Sequence, residues 1–286
     1  MSVVMSGKDV ANRIKEGIKQ DIQELNANEI SPLVAIIRVG DRLDSIGYER
    51  SAIKVVNELE IKSQTFHYPE EITEEEFITE FKKIDDRKDI HGILLLRPLP
   101  EHIDTEKISM IIHPDKDIDG MSPYNIGKAL SPNIGDFIPC TPDAVLKTLE
   151  YYDMDVQGKD VVIVGHSLVV GRPLSTLLMD KNATVTVCHL HTKNVIENCK
   201  KADILISAAG KAGLITKEHV KEGAIVIDVG TSYDESEKLV GDVAFDEVKE
   251  KTSYLTPVPG GIGAITTTIL AQRVVFAAKK QLQKGF

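Results

Sequence analysis

The sequence predicts a two-domain α/β protein, and three observations predict it. Apolar runs of strand length alternate with segments of helical periodicity along most of the chain. A stretch rich in Pro, Gly, Asp and Asn, from His113 to Pro142, interrupts that alternation near the middle. The chain has 286 residues, 42% hydrophobic and 27% charged, enough for two domains with separate cores.

Taken in order, Val10, Ile14, Ile18, Ile22 and Leu25 recur at helical spacing, so a helix follows Ser6. The apolar run Leu33 to Val39 reads as a buried strand ending at Gly40. A helix over 45–60, a strand over 61–67, a helix over 73–84 and a strand from Gly92 to Leu96 continue the βαβ rhythm, giving an N-terminal α/β domain over 1–140. The charged run Glu70 to Glu76 is a solvated helix start. The stretch from His113, which includes Pro132 and Gly135, marks the crossing between domains. Beyond it lie a helix over 142–151, a strand over 160–165, a helix from about 170, and strands over 183–188, Asp203 to Ser207 and Ala224 to Val229. These make a Rossmann-like domain over 141–263. After the glycine-rich run Pro257 to Gly263, residues 264–284 read as a helix whose last turn, with Lys279, Lys280 and Lys284, suits a helix C-terminus.

The net charge of -10 opposes a nucleic-acid surface, which needs clustered Lys and Arg, and leaves a small molecule or a second copy of the chain as partner. No apolar run near Met1 to Val10 has the length of a signal peptide, and Gln272 and Arg273 interrupt the longest apolar stretch near the C-terminus, so a soluble protein without a membrane partner is expected. Three cysteines, Cys140, Cys188 and Cys199, form no CxxC pair and leave one odd thiol in any disulfide scheme. They are expected as buried, inert thiols in a reducing cytoplasm. His189 and His191 share a strand face, but no further ligand stands at useful spacing and no metal is expected.

Asp160 to Pro173 carries the sharpest local signal: an apolar strand runs into a glycine turn and then a helix. Gly165 allows a sharp bend, Ser167 stands where a dinucleotide fingerprint has its second glycine, and Gly171 lets the helix pack close to the strand. Backbone N–H groups at such a helix start hold pyrophosphate. Ordinary α/β packing produces the same pattern, so the rest of the chain has to discriminate.

Three separated signatures do so: Asp117-Ile118-Asp119-Gly120 with Pro123-Tyr124-Asn125, the turn Gly165 to Pro173, and Pro257-Val258-Pro259-Gly260-Gly261-Ile262-Gly263. With Gly40, Ser45 and Tyr48, Gly92 to Pro100, Pro139-Cys140-Thr141-Pro142 and Ile227-Asp228-Val229-Gly230 in the same order, the whole chain resembles the methylenetetrahydrofolate dehydrogenase/cyclohydrolase family. The resemblance implies an N-terminal folate domain, a folate cleft between the domains, a nicotinamide cofactor on the second domain, and a cytoplasmic homodimer. It also implies that 264–286 returns to pack on the N-terminal domain. The implied reaction is hydride transfer from 5,10-methylenetetrahydrofolate to NADP or NAD, where holding the donor carbon against the nicotinamide supplies much of the acceleration.

The same resemblance assigns Tyr48 and Asp119 catalytic roles, Tyr48, Leu96, Asp119, Pro259, Gly260 and Gly261 to the folate, and Gly165, His166, Ser167, Gly171, Leu190 and Thr231 to the cofactor. From local sequence alone Asp119 is equally a turn aspartate before Gly120, and Tyr48 equally a packing residue. Two polar positions of the family are missing. Its cyclohydrolase lysine, four residues after the tyrosine, is Ala52 here, and the glutamine before the Leu-Pro-Leu-Pro-type turn is Leu96. Lys54, six residues after Tyr48, points about 120° away on a helix. Weak or absent cyclohydrolase activity is therefore expected, with full bifunctionality through Arg50, Lys54 or Arg97 as the alternative and a non-catalytic folate or nucleotide binder as a third reading. Ala264-Ile265-Thr266 departs from the family's Pro-Met before the threonine.

The second strand of the nucleotide domain ends Thr186-Val187-Cys188-His189-Leu190-His191 without the Asp or Glu of a strict NAD site, which favours NADP and leaves NAD open. Positive character comes only from His166, His189, His191 and Lys193, so tighter NADP binding is expected as the pH falls and imidazole gains its proton.

Overall fold

The computed structural model of the protein describes residues 2–128, 130–131, 137–234 and 236–283; Pro132, Gly135 and Lys284, named above, lie outside the described residues. The chain opens with β1 (Val3–Val4) and α1 (Gly7–Ala27), whose predicted stripe Val10, Ile14, Ile18, Ile22 and Leu25 is buried. Then follow β2 (Leu33–Val39), α2 (Leu43–Glu58), β3 (Lys62–Tyr68), α3 (Glu74–Asp85), β4 (Gly92–Leu95), α4 (Thr105–Ile111) and α5 (Pro123–Lys128). The second half carries α6 (Cys140–Tyr151), β5 (Asp160–Val164), α7 (Gly171–Asp180), β6 (Thr184–Cys188), α8 (Val195–Cys199), β7 (Ile204–Ser207), β8 (Ile225–Asp228), β9 (Ser232–Tyr233), β10 (Leu239–Val240), α9 (Phe245–Lys249), β11 (Tyr254–Leu255) and α10 (Gly263–Gln283).

Two compact units result. Arg13–Cys140 and the chain from Thr267 make one, which we call the first unit. Its sheet has three parallel strands in the order β3-β2-β4, with Ile36 opposite both Thr65 and Leu94, and Asp117 bridges Ile93 in parallel beyond β4. Ala35, Ile37, Phe77, Phe81, Ile90, Ile93 and Ile108 form a core on one face. Parallel strands need both faces covered. On α10, Val274, Val275 and Ala278 are fully buried, and the Arg273 guanidinium donates to the Ile118 carbonyl at 2.8 Å.

Residues up to Asn12 and Thr141–Thr266 make the second unit. Its six parallel strands run in the order β1-β11-β8-β7-β5-β6, over a core of Val162, Val164, Leu205, Val226, Val248 and Leu255.

Two expectations need correction. The boundary 1–140 fails at its N-terminal end: β1 pairs with β11, Val3 opposite Tyr254 and Val4 opposite Leu255, with the Val3 N–H donating to Ser253 O at 2.8 Å and the Met5 N–H to Leu255 O at 2.9 Å. A two-residue strand acquires its conformation from its partner, so no local pattern announces it. The crossing from His113 is also not continuous loop, because it contains α5. Pro123 occupies the first helical position and the Ser122 hydroxyl accepts from the Asn125 N–H at 3.2 Å, a cap that loop composition conceals.

Candidate active site

In the second unit, β5 lies between β6 and β7, so the loop after β5 opens at a point where the strand order reverses, the place α/β sheets use for ligands. Gly165 turns there with φ +125°, and a Cβ on it would meet the Ala208 carbonyl oxygen at 2.3 Å. A Cβ on Gly171 would meet the Gly165 carbonyl oxygen at 2.0 Å, so helix and turn touch through backbone. Val170 precedes α7 and gives it no side-chain cap; the Arg172 N–H donates to the Ser167 carbonyl at 3.1 Å and Pro173 has no N–H, so Gly171 supplies the first-turn N–H that faces an anion. The residues therefore fit a dinucleotide pyrophosphate.

His166 and Ser167 are exposed on this turn, and the Ser167 hydroxyl accepts from the Val170 N–H at 3.1 Å. The His166 ring lies 4.9 Å from that of His189. His189 Nδ1 accepts from the His191 N–H at 3.2 Å, so in the neutral ring Nε2 carries the proton and is a donor. Leu190 is 93% exposed two residues after β6, and Thr231 is exposed after β8. Gly165, His166, Ser167, Gly171, Leu190 and Thr231 thus all follow C-terminal ends of strands in one sheet. Among the described residues, no cluster of three or more His, Cys, Asp or Glu side chains could hold a metal ion.

Two buried aspartates organise the loops beneath, and the sequence reading missed their role. Asp242 accepts from the Ser207 hydroxyl at 2.8 Å and from the N–H groups of Ala209 at 2.7 Å, Gly210 at 3.3 Å and Lys211 at 2.8 Å. Asp228 accepts from the N–H groups of Gly230, Asp242 and Val243 at 3.0, 3.1 and 2.9 Å. Burial pushes the Asp228 carboxyl up to about 6, opposed by those N–H donors and reinforced by the charge of Asp242. A lone acid at the end of an apolar strand, as in Ile225–Asp228, is the signal that was available.

The Pro257–Gly263 run follows β11 in the same unit. Gly260 takes φ +101°, its carbonyl accepts from the Gly7 N–H at 2.8 Å, and a Cβ on Gly261 would meet Pro257 O at 2.4 Å. Pro259, Gly260 and Gly261 therefore present backbone rather than side chains.

The remaining predicted residues, Tyr48, Leu96 and Asp119, belong to the first unit. On α2, Tyr48 is half-buried, Ala52 four residues on is 3% exposed, and Lys54 is exposed. Leu96, just past β4, is 5% exposed. Asp117 is buried and accepts from the N–H groups of Met121 and Ser122 at 3.1 and 2.7 Å and from Asn125 Nδ2 at 2.9 Å, which fixes the Asp119 loop. Asp119 pairs with Arg97 at 2.7 Å, and both line one pocket with Leu95, Met121 and Ser122. This pairing joins residues 22 apart in sequence and has no local signal.

Comparison with known proteins gives two family matches. Residues 5–119 match the tetrahydrofolate dehydrogenase/cyclohydrolase catalytic domain and residues 139–282 the NAD(P)-binding domain of the same family. The chain is 42% identical over 281 residues to the bifunctional protein FolD of Alkaliphilus metalliredigens, covering 98% of this chain and 99% of that protein. It superposes with a TM-score of 0.95 at 42% identity on the bifunctional enzyme FolD, methylenetetrahydrofolate dehydrogenase/cyclohydrolase, of Campylobacter jejuni, over 98% of this chain and 100% of that one. The FolD of Trypanosoma brucei, solved with NADP cofactor and inhibitor, gives a TM-score of 0.94 at 33% identity over 99% of each chain.

Proposed function

The chain belongs to the tetrahydrofolate dehydrogenase/cyclohydrolase family, and from that premise we propose that it is an NADP-dependent 5,10-methylenetetrahydrofolate dehydrogenase with little or no cyclohydrolase activity. The observation that carries the second half is the pair of buried apolar side chains, Ala52 and Leu96, at the positions of the family's lysine and glutamine. Water attack on the methenyl cation and the ring opening that follows need a positioned group that moves protons. Neither side chain holds one, and Lys54 lies on the exposed side of α2.

When bound, oxidised nicotinamide supplies the hydride acceptor. The chain's own part is positional: the Gly165 turn and the Gly171 N–H at the start of α7 would hold the pyrophosphate, while His166 and His189 would offer ring donors to the 2′-phosphate of NADP. In the first unit Asp119 accepts from the pterin N–H edge and Tyr48 walls the ring. In the second unit Pro259, Gly260 and Gly261 offer backbone to the nicotinamide. The product cation needs no protein base to form. The buried thiols of Cys140, Cys188 and Cys199 support a cytoplasmic setting; the homodimer rests on the family resemblance, with sedimentation of the purified chain as its test.

A second reading, the full bifunctional enzyme, is favoured by the names of the relatives and by the Arg97 guanidinium beside Asp119. The ratio of methenyltetrahydrofolate to reduced nicotinamide formed from methylenetetrahydrofolate separates them, with NADP and NAD supplied in turn. A ratio near one with NADP is expected. A ratio well below one, with added methenyl compound vanishing faster than in buffer, would establish bifunctionality.

A further inference from the structure

Arg97 and Asp119 stand at the C-terminal edge of the first unit's parallel sheet, just beyond the bridge between Ile93 and Asp117. One contact joins them, Arg97 Nη2 donating to Asp119 Oδ2 at 2.7 Å. A guanidinium and a carboxylate commonly meet through two parallel bonds. Here, among the described residues, Asp119 Oδ1 accepts no hydrogen bond, and Nε and Nη1 of Arg97 donate none. The side chains are 22% and 25% exposed. A partly exposed ion pair adds little to stability, so the unused acceptor and donors are suited to recognition.

Resting on the folate reading of this site, we infer that Arg97 is a specificity-determining substrate residue that donates to the 4-oxo group of the pterin while Asp119 accepts from N3–H and the 2-amino group. An acceptor beside a donor complements that edge of the ring. A 4-amino analogue reverses the match, because it sets an amino group against the guanidinium and an unprotonated N3 against the carboxylate.

The test compares binding of tetrahydrofolate and of its 4-amino counterpart, by calorimetry with NADP present, to the wild type, Arg97→Leu and Arg97→Lys. The wild type is expected to prefer the 4-oxo ligand by about tenfold or more, as for a site whose polar groups are left unpaired by the wrong analogue. Arg97→Leu should lose most of that preference. Arg97→Lys should keep part of it, since an ammonium donates but lacks the planar fork. Equal weakening of both ligands with an unchanged ratio would assign Arg97 to holding Asp119 in place and overturn the inference, as would a wild type without preference. If Arg97→Leu does not fold, the ratio in Arg97→Lys decides. A wild type that binds neither ligand and forms no methenyl product overturns the folate reading itself, whereas normal turnover with an unchanged ratio overturns only the role of Arg97.

Discussion

Ala52 sits four residues after Tyr48 on the buried side of α2, and Leu96 is buried at the end of β4, so water activation can be tested by restoring two side chains. The double variant Ala52→Lys with Leu96→Gln is expected to raise hydrolysis of methenyltetrahydrofolate above the buffer rate. Ala52→Lys alone should do less, since a buried amine without a partner is disfavoured in its charged form. Absorbance decay of the methenyl compound reads both, and no gain in the double variant would mean that these positions do not control the step. Asp228 carries a prediction of a different kind. Its carboxyl titrates near 6 in the folded protein against an ordinary 3.8, so the folded state binds the proton more tightly than the unfolded chain. Its contribution is fully present below about 3.8 and is lost as the pH rises through about 6, a change of order 3 kcal/mol. Asp228→Asn should remove that share of the decline. Urea unfolding of both proteins at about pH 4 and about pH 7 checks it, and parallel slopes would contradict the assignment.

At the scale of elements, α3 shows how local chemistry defines an end. The Thr73 hydroxyl accepts from the Glu76 N–H at 3.3 Å while the Glu76 carboxylate accepts from the Thr73 N–H at 3.2 Å, a reciprocal cap on an exposed helix start. Thr73→Ala should cost about 1 kcal/mol in denaturant unfolding and leave dehydrogenase turnover unchanged. A loss of turnover would tie α3 to the site. The long helices were legible because burial selects every third or fourth residue, as at Val10, Ile14 and Ile18, and the strands because β2 and β5 are nearly unbroken apolar runs. α5 was not, because Pro, Asn and Gly serve caps and loops alike, and β1 was not, because its conformation comes from β11. The nucleotide turn was legible for a physical reason: only glycine tolerates the backbone contacts at positions 165 and 171. The carboxylate pair Asp228 and Asp242, 14 residues apart, and the Arg97–Asp119 pair arise from tertiary approach, which no local spacing encodes.

At the scale of the whole molecule, neither unit is a continuous stretch of chain, since the sequence passes between them inside α1, at the start of α6 and inside α10. A cut at 140 therefore removes more than a neighbouring domain. It takes from the first unit the part of α10 that buries Val274, Val275 and Ala278 and that carries the Arg273 guanidinium to the Ile118 carbonyl, one residue from Asp119. Losing the buried Ile269, Leu270, Val274 and Val275 at once, each worth about 2 kcal/mol, removes an amount comparable with the roughly 5–15 kcal/mol by which a domain is stable. A fragment of residues 1–140 is thus expected to show the collapsed, dye-binding behaviour of a protein without fixed packing. Joining residues 264–286 to it through a flexible linker should restore a cooperative thermal transition and bring back affinity for tetrahydrofolate. Near-ultraviolet circular dichroism and scanning calorimetry distinguish the two fragments. A cooperative transition in 1–140 alone would show that the last helix is dispensable for folding, and would leave the Arg273 contact as a device for setting the Asp119 loop rather than for holding the unit together.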